Sequence, residues 1–253
     1  MTVALFAPCY VDQLYPAVAV ATLRLLEALG LRVAVPDGAA CCGQPMANAG
    51  FGGMSAAAEG AYERTFGPYD VVVTPSGSCA AHLRAHVGGA GARTRELCEF
   101  LHDDVGVEAV AALGARWPAR VGVHVGCHAL RGLGLATPTE RGPTAAGPTG
   151  VLRRSKVHAL LAAVEGLEVA DLGRPDECCG FGGTFAVAQP DVSAKMGRDR
   201  LRDHLDGGAE AVVSTDVSCA MHLEGLARRG GHGLPFVHVA EALMTGVGEP
   251  APA

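Results

Sequence analysis

The stretches "TPSGSCAAHL" (residues 74–83) and "STDVSCAMHL" (residues 214–223) follow one plan. Each comes after a valine-rich run, turns through a Ser or Asp, and sets a cysteine where a helix should begin. A histidine follows three residues later, His82 in one and His222 in the other. Working outward, strand-like runs at 3–7, 31–35 and 70–74 alternate with helix-like segments at about 15–29 and 56–66. A second series has strand-like runs at 120–125, 168–172 and 211–214, with helices expected at about 152–164 and 192–205. Buried strands alternating with amphipathic helices indicate βαβ units and a parallel sheet. The expected fold class is therefore α/β, with two tandem Rossmann-like parallel-sheet repeats related by internal duplication.

The cysteines obey the same duplication. Cys9 and Cys127 follow the first strands, Cys41–Cys42 and Cys178–Cys179 the second, and Cys79 and Cys219 the third. Both vicinal pairs run into a glycine, Gly43 or Gly180. Neighbouring cysteines can pair only through a strained eight-membered ring, so mutual disulfides explain them poorly. Between Cys9 and Cys41 lie 31 residues, against 50 between Cys127 and Cys178; a Pro/Gly/Thr-rich insertion at 136–150 supplies most of the excess. The repeats are expected at 1–116 and 117–253, with the break at "GARWPAR" near 115–119. Nineteen residues beyond Cys79 and Cys219 stand Cys98 and His238, which read as equivalent core or interface positions.

Composition narrows the functional classes. With 49% hydrophobic residues in 253, the chain can bury a large core. No stretch approaches the roughly 20 apolar residues of a membrane-spanning helix. The net charge of −6 and dispersed basic residues argue against nucleic acid. "MTVALFAPC" enters a strand-like run without a basic leader, so a cytoplasmic location is expected, where nine cysteines stay reduced. No flavin or nicotinamide motif is present: the glycines of "GGAGAR" follow a helix rather than a strand.

Ligands of parallel α/β sheets sit beyond the carboxyl ends of the strands. The fold thus predicts two clusters, Cys9/Cys41/Cys42/Cys79 and Cys127/Cys178/Cys179/Cys219. One free cysteine is ordinarily a small buried hydrophobe. Eight obeying a duplicated rule point instead to soft-metal ligation, by iron–sulfur or zinc. Gly43 and Gly180 let backbone N–H groups approach sulfur, a lever on cluster potential. His128, beside Cys127, is a candidate for the surroundings of a cluster. His82 and His222 read as packing positions. Arg131 and Lys195 are candidates for an anionic substrate or a solvated face.

With "PSGSC" (75–79), "GCHALR" (126–131), "CCGFGGTF" (178–185) and "VSTDVSCAMHL" (213–223), the chain resembles the cysteine-rich CCG domains of heterodisulfide reductase and of the glycolate oxidase iron–sulfur subunit. Over essentially its whole length it resembles the lactate-utilisation protein A family. The resemblance implies an iron–sulfur cluster, 4Fe–4S in type. It also implies a role in oxidising L-lactate to pyruvate beside a ferredoxin-like iron–sulfur subunit and an accessory subunit. The full CCG motif ends in Cys-x-x-Cys, and relatives that complete it use five cysteines for a non-cubane cluster. Here Ser76 and Asp216 stand at the missing position. Four cysteines leave open a conventional cluster, a cluster with an oxygen ligand from Asp216 or a deprotonated Ser76, or zinc at one site. Helix capping is the alternative role of both. Two other functional classes follow, a zinc-stabilised partner-binding scaffold and a heterodisulfide-reductase-like thiol–disulfide redox protein.

Overall fold

The computed structural model describes residues 2–38, 41–141, 152 and 154–247. Two four-stranded, all-parallel sheets form the frame. The first comprises β1 (Val3–Leu5), β2 (Val33–Ala34), β3 (Val71–Thr74) and β4 (Thr94–Glu96), in the order β2-β1-β3-β4. The second comprises β5 (Arg116–His124), β6 (Glu165–Val169), β7 (Ala211–Ser214) and β8 (Phe236–His238), in the order β6-β5-β7-β8. Strand order across the sheet reverses between β1 and β3, and again between β5 and β7. Those are the switch points at which parallel sheets open a crevice.

Helices α1 (Pro16–Ala28), α2 (Gly52–Phe66), α3 (Gly77–His86), α4 (Lys156–Leu161), α5 (Pro190–Asp206), α6 (Val217–Arg229) and α7 (Val239–Ala242) cover the sheets. Strand alternation decides which layer each residue joins. Val3, Val73, Val121, Val123 and Val213 enter one core that runs through both halves. Ala4 and Val72 face outward to the layer under α2 and α3, and Val212 to the layer under α5 and α6. The shared core holds Leu25 and Leu26 of α1 beside Ala240 and Ala242 of α7, so the halves are packed together through apolar surface.

Several elements differ from the sequence expectation. Two short strands, β4 and β8, escape the sequence reading because three residues carry too little alternation. Their presence breaks the equivalence of Cys98 with His238. In the sheets Thr74 pairs with Glu96, and Ser214 with His238. The counterpart of His238 is thus Glu96, and each caps the helix that follows its strand. The connection into β4 is two residues shorter than that into β8, which puts equal spacing out of register. At the expected break near 115–119 the chain is already strand: β5 begins at Arg116 and pairs with Glu165. Pro118 lacks an N–H, and the pairing is irregular between Arg116 and Ala119. β6 ends at Val169 rather than at 172, and the predicted helix at 152–164 shortens to α4. Of the insertion at 136–150, residues 142–150 lie outside the described residues.

The halves approach closely at Gly77, the first residue of α3. A Cβ there would stand 2.6 Å from the Ala129 Cβ and 3.2 Å from its Cα. Gly225, inside α6, has open space around it. Gly77→Ala should destabilise the protein by about 1–3 kcal/mol, because backbone-fixed atoms must move. Gly225→Ala should stabilise it by about 0.5–1 kcal/mol through helix propensity. Denaturant titration of both variants checks the pair of signs.

Candidate metal centre

All eight duplicated cysteines lie beyond the carboxyl ends of the strands. Cys9 and Cys127 come three residues after Phe6 and His124 at the ends of the central strands. Cys79 and Cys219 occupy the first turns of α3 and α6. The vicinal pairs sit in loops after β2 and β6, where Gly43 (φ 97°) and Gly180 (φ 86°) take left-handed backbone angles that other residues adopt at a cost. A Cβ on Gly180 would meet Ser193 O at 2.6 Å, so only glycine fits against α5.

Within each half the sulfurs form a chain of contacts. Cys9 and Cys42 donate towards Cys41, and Cys42 also meets Cys79. Cys127 and Cys179 donate towards Cys178, and Cys179 Sγ lies 3.1 Å from Cys219 Sγ. These contacts, with burial, hold Cys9, Cys42, Cys127 and Cys179 well above the usual thiol range. Cys41 is held far below it by donation from Cys42 and Cys9, and Cys178 by donation from Cys127 and Cys179. Gly43 N–H and Gly180 N–H add donors to Cys41 and Cys178, each at 3.4 Å. The receiving sulfur in each half thus has thiolate character, stabilised by backbone dipoles.

Both sulfur chains open onto one cleft between the halves. It encloses about 110 Å³, and its walls carry Cys9, Cys42 and Cys79 opposite Cys127, Cys178, Cys179 and Cys219. Contacts bridge its edges: Tyr10 packs edge-on to Phe181 with ring centroids 6.0 Å apart, and Gln44 Nε2 lies 3.2 Å from His128 Nε2. His128 Nδ1 is 3.7 Å from Cys127 Sγ, which places this residue beside the sulfurs as a neighbour.

Asp216 and Ser76 stand together on the cleft wall. Asp216 Oδ1 accepts from Ser218 N–H (3.0 Å) and Ser218 Oγ (2.6 Å), capping α6. Its Oδ2 reaches into the other half and accepts from Ser78 N–H at 2.9 Å and Ser76 Oγ at 3.2 Å. Ser76 caps α3 by accepting from Cys79 N–H at 3.4 Å. One buried carboxylate therefore serves two helix N-termini.

The remaining candidates have other partners. His82 pairs with Glu59 at 3.1 Å and His222 with Ser193 O at 3.3 Å. Arg131 binds Glu140 at 2.7 Å and Asp176 at 3.5 Å, and Lys195 pairs with Asp199. Cys98 is fully buried in the shared core.

Two residues go unread in the sequence, His124 and Arg200. A ring nitrogen of His124 lies within 4.8 Å of both Cys179 Sγ and Cys219 Sγ, the one such group among the described residues. Burial, then the Arg200 charge, push the His124 imidazolium down to about 3, so the ring is neutral. The sequence holds a signal: three residues before Cys9 the chain has Phe6, whereas three before Cys127 it has a histidine.

Two parallel sheets with paired cysteine loops facing one cleft define a tandem cysteine-rich domain protein. The family model described as Cysteine-rich domain, CCG, matches residues 3–84 and 121–224. A Lactate utilization protein A from an Exiguobacterium species is 35% identical over 260 residues, covering 97% of this chain and 98% of the relative. Proteins of the same name from Geobacillus kaustophilus and Bacillus subtilis are 34% and 32% identical, each over 96% of this chain and 98% or more of their own length. The chain belongs to the lactate utilization protein A family.

Asp216→Ala removes the shared carboxylate and should cost about 2–4 kcal/mol, since it strands donors in both halves. Ser76→Ala, which leaves Asp216 in place, should cost about 1 kcal/mol. Equal losses in chemical denaturation would show that the bridge between the halves carries no weight.

Proposed function

We propose that this chain is an iron–sulfur electron-transfer subunit of a system that oxidises L-lactate to pyruvate. The observation that carries the reading is the gathering of eight thiols, distant in sequence, into two sulfur chains, with seven of the eight cysteines lining one cleft. Such donor sets select soft metals, iron–sulfur clusters and zinc above all. Cys9, Cys41, Cys42 and Cys79 would hold one centre, and Cys127, Cys178, Cys179 and Cys219 the other. Both would be 4Fe–4S in type, as the resemblance implies; a redox role excludes zinc, which does not change valence.

Bound clusters would supply one-electron chemistry. The chain's own part is to exclude bulk water from the sulfurs and set their hydrogen bonding. Cys42, Cys79, Cys179 and Cys219 are buried; Cys9, Cys127 and Cys178 are half-buried on the cleft wall, and Cys41 is half-buried behind it. Gly43 and Gly180 N–H groups favour added negative charge on sulfur. Gln44 holds His128 against Cys127 across the cleft. Ser76 and Asp216 position the helices that carry Cys79 and Cys219, as the cap hydrogen bonds of their side chains indicate.

The lactate assignment rests on the relatives' name together with coverage of nearly their full length. With no flavin or nicotinamide motif in its sequence, this chain would pass electrons rather than take hydride. A ferredoxin-like iron–sulfur subunit and an accessory subunit are the partners that the family resemblance implies. Among the described residues no helix is long and apolar enough to cross a membrane. The working location is the cytoplasm, where thiols stay reduced.

Protein purified anaerobically should contain iron and acid-labile sulfide, with broad visible absorption that dithionite bleaches. Cys41→Ser and Cys178→Ser should each lower the iron content by about half, following one centre per half. A colourless preparation replete with zinc would replace this reading by the scaffold. Disruption of the coding sequence should abolish growth on L-lactate, and unchanged growth would remove the substrate assignment.

A further inference from the structure

The duplicated frame lets each residue around one sulfur chain be compared with its twin. Beneath Cys42 and Cys79 lies an aromatic layer: Phe6 meets Tyr62 and Phe66 edge-on at 5.1 and 5.4 Å. Phe6 corresponds to His124, each three residues before the first cysteine. Ser55 and Ser193, which pack against Gly43 and Gly180, set the register of α2 and α5. Seven residues on stand Tyr62 and Arg200; eleven on stand Phe66 and His204. The trio Phe6/Tyr62/Phe66 is thus replaced by His124/Arg200/His204 in the second half.

The replacement is built in, since burying charge without partners is costly. Arg200 is fully buried, yet Nη1 donates to Asp203 Oδ2 at 2.7 Å and to Arg174 O at 2.5 Å. Its Nη2 donates to Val123 O at 3.3 Å, and its Nε donates to His124 Nδ1 at 3.3 Å. Gly122 lacks a Cβ where His204 packs, since one would fall 2.2 Å from its Nδ1. Asp203 offsets the guanidinium charge, so the role left to Arg200 is to fix the imidazole. Arginine has donors only, so Nδ1 must accept and the ring proton sits on Nε2. That atom is buried and has no protein partner among the described residues, while the ring lies beside Cys179 and Cys219.

We propose that His124, oriented by Arg200, turns Nε2–H towards the sulfurs of the second-half centre as a hydrogen-bond donor. The second-half centre then has the higher reduction potential of the two. A donor on sulfur stabilises the more negative, reduced state, and in the aromatic layer of the first half the one O–H, that of Tyr62, is taken by Thr94 Oγ1 at 2.6 Å. His124 is a positioning and tuning residue; protonation at Nε2 withholds the lone pair that ligation needs. The inference rests on the iron–sulfur reading above and goes beyond it by ranking the two sites.

The test is a potentiometric titration, followed by electron paramagnetic resonance, of anaerobically purified full-length protein. Cys41→Ser isolates the second-half signal and Cys178→Ser the first. His124→Phe should shift the second-half midpoint to more negative potential with iron content unchanged, leaving the first-half midpoint in place. His124→Gln, which keeps an N–H donor in a less disruptive side chain, should restore part of the shift and remains informative if the Phe variant does not fold. An unshifted second-half midpoint with iron retained overturns the proposal. Loss of second-half iron in both variants also overturns it, because that marks a ligand. Wild-type protein without iron instead defeats the underlying iron–sulfur reading, a result visible before any variant is made.

Discussion

Two helix N-termini, α3 and α6, point at the same place, and one buried carboxylate satisfies both. Orphan N–H groups at a helix start must find acceptors, and burial makes an unmet one costly. Asp216 supplies one oxygen to its own helix and the other to Ser78 in the opposite half. Cys79 and Cys219 ride on those first turns, so the contact that joins the halves also fixes two sulfurs relative to each other. Gly77, pressed against Ala129, allows the approach. The cleft exists because these ends are pinned while the shared apolar core holds the sheets behind them.

The general design is legible in the sequence because the duplication is strong where chemistry constrains it. Strand, cysteine and helix follow in the same order twice, and parallel topology carries distant cysteines to one edge. Weaker signals vanish where the constraint is local. β4 and β8 each have three residues, and their only mark is the capping residue that ends them, Glu96 or His238. Equal spacing suggests Cys98 as the twin of His238, but hydrogen-bonded register counts pairs rather than residues in a loop. The meeting of the two sulfur chains on one cleft is also beyond reach of the sequence, because it depends on how two sheets pack.

His124 and Arg200 show a different kind of illegibility. An arginine inside an amphipathic helix ordinarily reads as a solvated position, and nothing local says that Arg200 is fully buried. Only the comparison of twins exposes it, by setting Tyr62 and Phe66 against Arg200 and His204. One half has an oily layer beneath its sulfurs and the other a polar one. A buried guanidinium survives only with its donors met, and the carbonyls of Val123 and Arg174 with Asp203 provide that.

Cys98 serves as an internal control for the meaning of the other eight thiols. It is fully buried among apolar residues of the shared core, and burial raises its thiol far from ionisation. No sulfur neighbours are among the causes of that shift, and it behaves as a small hydrophobe. The duplicated cysteines differ: the thiol shifts among them are caused by neighbouring sulfurs, seven of the eight line a cleft, and Cys41 and Cys178 receive N–H groups from Gly43 and Gly180. Packing alone would be better served there by Val or Ala, which bring no thiol protons to accommodate. Sulfurs that neighbour one another, Cys179 and Cys219 at 3.1 Å, with backbone donors aimed at Cys41 and Cys178, form an arrangement that suits a soft cation better than an apolar core.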